Sequence, residues 1–204
     1  MKTLLRTIFT SVILFSGSLT VANPPEFIRE CMDCHGKNGL SQDSDIPIIA
    51  GVSAHFIEET FAAYKYDMRN TVNTKYRLGD TSRPETNMKK IGNKLSQEQI
   101  IEVAKYFSEL PFVAAKQSFD AEQAIIGEKI HIRKCEKCHR NGGSSVEEDA
   151  AMLAGQWTPY LRNAVKHIVD KTRDVDIKMI DKVEKLSDEE WEALLNFYAS
   201  QQGK

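Results

Sequence analysis

The chain has 204 residues, with 27 Lys and Arg against 29 Asp and Glu, which gives a net charge of −2. No block of basic residues occurs, so the sequence does not suggest nucleic-acid binding. This length suits one ordinary domain or two small ones.

The first 22 residues have the layout of a secretory signal. Lys2 and Arg6 precede a short apolar run, and small residues follow around Ala22. We therefore expect residues 1–22 to be a signal peptide cleaved near Ala22, and the mature protein to be periplasmic; an uncleaved anchor is the alternative. No second long apolar stretch follows, so we expect no membrane span in the mature chain. Without Lys2 and Arg6, 25 basic residues face 29 acidic ones, a net charge of −4.

An internal repeat organises the rest of the chain. CMDCH (31–35) returns as CEKCH (135–139), and IAGVSAHFI (49–57) aligns with LAGQWTPYL (153–161), both at a shift of 104. LSQEQIIEVAKYFSEL (95–110) aligns with LSDEEWEALLNFYASQ (186–201) at a shift of 91. The first half therefore carries 13 additional residues, which we place in the polar segment 70–86. We predict two domains, 23–112 and 113–204, joined at 111–120.

Each repeat unit is predicted to be mostly helical. A short helix should precede each CxxCH, and a second helix should run from 54 to about 70, with its counterpart starting at Thr158. Ser96 and Ser187 each stand three residues before a glutamine or glutamate, which is the spacing of a capping box. Apolar residues then recur at helical intervals. No alternating β-branched runs occur, so the predicted fold class is all-α.

The two CxxCH motifs allow four interpretations: a zinc site, a redox dithiol, two tight disulfides, or covalent attachment of c-type haem. Zinc needs four ligands together, whereas the motifs lie in separate units. A thioredoxin-like dithiol needs a βαβ context, and disulfides give no reason for a repeated histidine. Two cysteines on one helical turn can reach the two vinyl groups of one porphyrin, with the adjacent histidine facing the iron. We therefore predict two covalently bound haem c groups, at Cys31 and Cys34 with His35, and at Cys135 and Cys138 with His139.

The repeat also filters candidates for the sixth iron ligand, because a ligand should be present in both copies. Only Met88 and Met179 correspond to each other, at the shift of 91. We expect His35 to pair with Met88 and His139 with Met179; ordinary packing is the alternative for either methionine. Such closed axial sites suit electron transfer rather than oxygen or peroxide binding. The remaining histidines fail the test, and we expect them on the surface or on helix faces.

The second ring nitrogen of each proximal histidine should be held by a hydrogen bond. Backbone carbonyls near Pro47 and Ala151 are the expected acceptors, because these residues correspond at the shift of 104. Trp157 and Tyr160 could line the domain interface or a haem edge, but we expect them to pack in the core.

These motifs resemble the dihaem cytochromes c of the c-four class. In the second half, AAKQSFD, CEKCHRNGG, LAGQWTPYL and FYASQQ are similar to the cytochrome subunits of flavocytochrome c sulfide dehydrogenases. The resemblance implies two tandem class I cytochrome c domains related by a pseudo-twofold axis. It also implies an FAD-carrying flavoprotein partner that oxidises sulfide, with this subunit accepting the electrons and passing them to a small electron carrier.

The expectation is therefore an electron-transfer subunit rather than an enzyme, because the catalytic site would belong to the flavoprotein. A free dihaem shuttle serving a terminal oxidase or reductase is the alternative. A dihaem peroxidase would need an open axial site, and the paired methionines argue against one.

Overall fold

The computed structural model describes residues 24–147 and 150–202, so the predicted signal peptide lies outside the described residues. Within these ranges the chain is helical and forms no strand, which confirms the all-α prediction. Two isolated bridges are the extended pairings found there, between Arg69 and Arg173 and between Thr74 and Thr86. None of the helices in these ranges has the length and apolar character needed to cross a bilayer.

The two halves contain corresponding helices in the same order. The first half forms α1 (Glu26–His35), a 3-10 turn (Lys37–Gly39), α2 (Ala54–Lys65), α3 (Met88–Gly92) and α4 (Gln97–Ser108). The second half forms α5 (Ala121–Lys134), the short α6 (Arg140–Gly143), α7 (Thr158–Val169), α8 (Ile177–Val183) and α9 (Asp188–Ser200).

Both capping boxes predicted from the sequence are present. The Ser96 hydroxyl accepts a hydrogen bond from the Gln99 N–H, and the Gln99 side chain accepts one from the Ser96 N–H. Ser187 and Glu190 make the same reciprocal pair at the start of α9. Each box satisfies two backbone N–H groups that the helix itself leaves free.

Helix α2 is shorter than predicted, because it ends at Lys65 rather than near residue 70. Asp67 adopts a left-handed conformation (φ 59°), which cannot continue a right-handed helix. The N–H groups of Met68 and Arg69 then bond back to the carbonyl of Ala63. The second half turns at the equivalent residue, since Lys171 has φ 57°. The chain therefore reverses at the same point in both halves.

Each half has its own apolar core. The first core joins α1, α2 and α4, and the second joins α5, α7 and α9. Helices α5 and α9 cross closely at Gly127, where an added Cβ would lie 2.0 Å from the carbonyl oxygen of Ala193. This crossing fixes the end of α5, from which the second CxxCH continues.

A third apolar cluster lies between the halves and includes Ile48, Ala115 and Trp157. Gln156 is 2% exposed and bonds twice to the backbone of Ile48, accepting from its N–H at 3.1 Å and donating to its carbonyl at 2.6 Å. The Trp157 indole N–H donates to the carbonyl of Ser41 at 3.0 Å. Trp157 therefore packs against an apolar core cluster, as expected, and this cluster lies at the interface. The predicted domain boundary at 112/113 falls in the connector beside this cluster and stays a prediction.

Candidate haem-attachment sites

The first CxxCH motif forms the last turns of α1. Cys31 and Cys34 are three residues apart in the helix, so their sulfurs share one face. Cys31 and His35 are buried, and Cys34 is half-buried. The helix ends at His35 because Gly36 takes φ 78°, which turns the chain away directly after the imidazole.

The second motif continues beyond its helix as an irregular turn. Helix α5 ends at Lys134, and the N–H groups of Cys138 and His139 bond back to the carbonyl of Cys135 at 3.1 and 2.9 Å. Cys138 is exposed, whereas its counterpart Cys34 is partly covered. The turn still gathers both cysteines and the histidine into one compact segment.

Both imidazoles are held by the carbonyls predicted from the repeat. His35 Nδ1 lies 2.9 Å from the Pro47 oxygen, and His139 Nδ1 lies 3.2 Å from the Ala151 oxygen. A carbonyl can only accept, so Nδ1–H donates and the lone pair of Nε2 is left free. Burial lowers the pKa of both histidines, which favours the neutral form. A neutral imidazole with a free Nε2, fixed through Nδ1, is what an iron ligand requires.

The environments of three of the four cysteines disfavour the thiolate form. Burial raises the pKa of the Cys31 thiol to about 12 and also raises those of Cys34 and Cys135. Reactive and metal-binding cysteines normally have lowered pKa values, because the thiolate is the active species. A thioether carries no charge, so burial costs it little. In the described parts of the chain, no three His, Cys, Asp or Glu side chains converge as metal ligands.

The two candidate methionines occupy different positions in their helices. Met88 is the first residue of α3, after the Asn87 cap, and packs against the first core. Met179 is the third residue of α8, after the Asp176 cap. Both side chains are half-buried. Their assignment as iron ligands stays a prediction.

The extra segment 70–86 folds over the first motif, a contact that the sequence did not reveal. The Asp33 carbonyl accepts from the N–H groups of Arg77 and Leu78 at 2.8 and 2.9 Å, and its carboxylate pairs with Arg83. The Arg83 guanidinium lies 3.5 Å from the centroid of the Tyr76 ring. Asp33 stands between the two cysteines of CMDCH, so this segment covers the first attachment site. The second half has no such segment.

A buried histidine supports the second motif. His131 lies on a face of α5, one of the two locations expected for the remaining histidines, and this face is buried. His131 is fully buried, with Nδ1 3.0 Å from the Tyr198 hydroxyl and Nε2 2.6 Å from the Glu136 carboxylate. Glu136 stands inside CEKCH and also accepts from the N–H groups of Asn141 and Gly142. Although burial acts to raise it, these hydrogen bonds lower the pKa of Glu136. The network ties the attachment turn to α5 and α9.

Comparison with known proteins agrees with this geometry. Residues 122–197 match the family described as cytochrome C oxidase, cbb3-type, subunit III. The thiosulfate dehydrogenase electron acceptor of Thiomonas intermedia (strain K12) is 25% identical over 165 residues, which are 76% of this chain and 69% of that protein. The chain is therefore related to cytochromes c, with the family match lying in its second half.

Solved structures show the same fold over more than four fifths of this chain. The cytochrome c4 of Acidithiobacillus ferrooxidans has a TM-score of 0.65 at 18% identity, covering 84% of this chain and 99% of that one. The cytochrome c4 of Pseudomonas stutzeri also gives 0.65, at 22% identity over 83% and 92%. A thiosulfate dehydrogenase from Marichromatium purpuratum gives 0.65 at 18% identity over 83% of this chain and 36% of that one. The predicted pair of class I cytochrome c domains is therefore confirmed as the fold.

Proposed function

We propose that this cytochrome is a periplasmic dihaem electron carrier that accepts electrons from an enzyme oxidising a reduced inorganic sulfur compound. The repeated geometry of the two CxxCH motifs is the observation that supports it. In each half, the imidazole after the second cysteine bonds through Nδ1 to the carbonyl twelve residues later. Haem c supplies a one-electron redox centre that needs no substrate site.

The cysteines would attach the haems, and the histidines and methionines would bind the irons, as the sequence predicts. Cys31 and Cys34 would hold one haem, and Cys135 and Cys138 the other. Each histidine would present Nε2 to an iron, so that His35 and Met88 would hold one iron and His139 and Met179 the other. The hydrogen bonds to Pro47 and Ala151 would fix the imidazole planes, so that the iron environment changes little when an electron arrives or leaves.

The partner that we favour is an FAD-carrying sulfide dehydrogenase subunit. The segments AAKQSFD and FYASQQ in the second half resemble cytochrome subunits of flavocytochrome c, and this resemblance supports the assignment. A reduced flavin holds two electrons and each haem iron takes one, so two haems on one chain can empty a flavin in a single encounter. The flavoprotein would hold the catalytic site, and a small carrier would take the electrons onward.

A thiosulfate dehydrogenase is the second candidate donor. It is favoured by the relative from Thiomonas intermedia, whose name describes an electron acceptor for that enzyme. A free shuttle of the c-four type is a further alternative, and the similarity to the c4 structures is compatible with it. All three share the haem chemistry and differ in the surface that meets the partner.

Intact mass spectrometry of the mature protein tests the cofactor assignment. We expect the mass of the chain from about residue 23 onward plus two haems; none or one contradicts the proposal. Replacing Met88 or Met179 with alanine should each remove about half of the methionine–iron charge-transfer absorption. Met68→Ala is the matched control, because Met68 is 37% exposed and has no counterpart in the other half.

Stopped-flow mixing tests the donor. The oxidised cytochrome is mixed with a sulfide-reduced flavoprotein subunit, and separately with thiosulfate dehydrogenase and thiosulfate. Rapid reduction by the flavoprotein alone supports our assignment. Rapid reduction by thiosulfate dehydrogenase alone assigns the cytochrome to that enzyme, and slow reduction by both favours the free shuttle.

A further inference from the structure

Helix α5 has one side packed on α9 and an exposed apolar stripe on the other side. Gly127 and Ile130 lie on the packed side, against residues of α9. The outward side carries three isoleucines, Ile125, Ile126 and Ile132, with 57%, 46% and 62% of their surfaces exposed. Exposed apolar residues gathered on one face of a soluble protein mark an interaction surface.

The first half buries the residue that corresponds to Ile132. Ile28 occupies this position at the shift of 104, and it is 1% exposed within the first apolar core. Helix α1 begins at Glu26, and the positions that correspond to Ile125 and Ile126 lie outside the described residues. The fold shared by the two halves therefore does not require an exposed isoleucine at position 132.

Charged residues flank the isoleucines and change sign along α5. Glu122 lies in the first turn, whereas Lys129 and Arg133 lie toward the C-terminal end, and all three are exposed. Within the described ranges none of the three has an ion-pair partner, and Glu190 on α9 pairs with Lys134 instead. The outward face is therefore acidic at one end and basic at the other.

Such a face is complementary to a second copy of itself. Because an α-helix has about 3.6 residues per turn, Ile125 and Ile132 form one row, and the adjacent row holds Glu122, Ile126, Lys129 and Arg133. When two α5 helices lie antiparallel about a twofold axis level with residue 128, each row meets the same row of the other copy. Ile125 then lies beside Ile132 of the second copy, and Glu122 beside Arg133 of the second copy, each within about 1.5 Å along the helix axis.

Other arrangements leave the charges of this face unmatched. A parallel pair of α5 helices would place Glu122 against Glu122 of the second copy and Arg133 against Arg133 of the second copy. A partner whose surface carries charge of one sign would attract one end of α5 and repel the other. The order of charges therefore favours the antiparallel pair.

We propose that two copies of this chain associate through the outward face of α5 as an antiparallel, twofold-symmetric dimer. Ile125 and Ile132 form its apolar centre, and Glu122 and Arg133 pair at both ends, because each contact of such an interface occurs twice. One helix face is smaller than the roughly 800 Å² per partner of a standard interface, so the dimer is weak and depends on protein concentration. Cys138 lies beyond the C-terminal end of α5, so the exposed attachment turns of both copies stay open to a redox partner.

Sedimentation velocity of the mature protein tests the surface, at concentrations from about 1 μM to about 1 mM, where small interfaces associate. We expect the dimer fraction to rise with concentration. Ile132→Lys should lower the association constant by about a hundredfold, because symmetry removes two apolar contacts from each dimer. Ile101→Lys on α4 is the matched control, since Ile101 is 48% exposed in the first half, and it should leave the association constant unchanged.

Charge reversal tests the antiparallel register. Glu122→Lys and Arg133→Glu each set like charges against each other at both ends of the dimer, and each should weaken association by about tenfold. The two substitutions combined restore opposite charges and should return the constant to within about threefold of wild type. Glu102→Lys, at an exposed position of α4, is the control and should have no effect.

Three results would overturn the proposal. A wild-type protein that stays monomeric at every concentration has no such dimer, and a dimer unaffected by Ile132→Lys uses another surface. Combined charge reversal that associates no better than either single variant would exclude the antiparallel register. If the wild type is monomeric and Ile132→Lys slows its reduction by a donor enzyme, the face belongs to that donor instead. None of these results bears on haem attachment, so the proposed function is tested separately by mass.

A second measurement needs no variant, so it stands even if the substitutions prevent folding. Reduced wild-type protein with ¹³C-labelled isoleucine methyl groups is mixed with unlabelled protein, and isotope-filtered NMR selects contacts between different chains. We expect intermolecular contacts between Ile125 and Ile132. Their absence at a concentration at which sedimentation shows a dimer would contradict the α5 interface.

Discussion

The close crossing of α5 and α9 predicts that Gly127→Ala destabilises the second half. A Cβ at this position would lie 2.0 Å from the Ala193 carbonyl oxygen and 2.8 Å from the Phe197 Cβ. Both neighbours belong to the rigid part of α9, so the helices must separate by about 1 Å to restore an ordinary contact. A backbone carbonyl cannot rotate away as a side chain can. The loss in free energy of unfolding should therefore lie near the upper end of the range of about 1–3 kcal/mol found for overpacking.

Alanine offsets part of this cost, because it favours a helix interior over glycine by about 1 kcal/mol. We expect a net loss of about 2 kcal/mol, which for a domain of this size lowers Tm by about 8–16 °C. Gly92→Ala in α3 is the matched control. Its Cβ would meet the Phe61 ring at 3.1 Å, and that side chain can move. We expect a change within about 0.5 kcal/mol there.

Thermal and urea unfolding of the holo-protein, followed by circular dichroism, measure both variants. Helix α5 leads directly into Cys135, so the separation of α5 from α9 should also lower the fraction of chains that carry the second haem, as read by mass. A Tm for Gly127→Ala equal to that of the wild type would show that α5 and α9 are not this close, and the reasoning would be wrong.

Four other substitutions or deletions have defined outcomes. Gln156→Ala leaves both backbone groups of Ile48 without their partner and should cost about 2–4 kcal/mol, measured as earlier urea unfolding; an unchanged midpoint would contradict the interface. His131→Phe introduces the residue type of the equivalent position in the first half, Phe27. It removes the hydrogen bond to Glu136, so backbone amides of residues 136–142 should exchange faster with solvent. Unchanged exchange rates would show that this hydrogen bond does not hold the turn. The pKa of Glu136 is lower in the folded than in the unfolded protein, so ionised Glu136 stabilises the fold at pH values above its unfolded-state pKa. This contribution is lost as pH falls through the folded-state pKa. Glu136→Gln should therefore make the free energy of unfolding depend less on pH in the acid range. Deleting 75–85 should speed reduction of the first haem, but not the second, by a small inorganic reductant; equal rates before and after would show that the segment does not shield it.

Most of the features that the sequence predicted correctly recur in both halves. Capping boxes at Ser96 and Ser187 depend on residue types three positions apart, so they could be identified locally. The carbonyls of Pro47 and Ala151 were found because the repeat aligned two loops with little other similarity. In both cases the second copy supplied an independent check on a weak local signal.

Features without a local or periodic sequence signal were missed, including a turn that both halves share. Nothing in the sequence near Asp67 predicted its left-handed conformation, because no glycine marks the end of α2. The contact of segment 70–86 with Asp33 uses backbone N–H groups, which any residue can supply. His131 has no counterpart, and one of its partners, Tyr198, lies 67 positions away in α9. Contacts of this kind are set by tertiary packing and leave no periodic pattern in the sequence.

The differences between the halves bear on where a partner can exchange electrons. In the first half, Cys34 is half-buried and segment 70–86 is fastened to Asp33 beside it. In the second half, Cys138 is exposed, and His131 and Glu136 support the turn that carries it. Electron transfer weakens with distance, so an uncovered attachment edge is the better point of approach for an external partner. We therefore expect the second half to face the partner, and the first haem to exchange electrons mainly through the interface that holds Arg69 and Arg173.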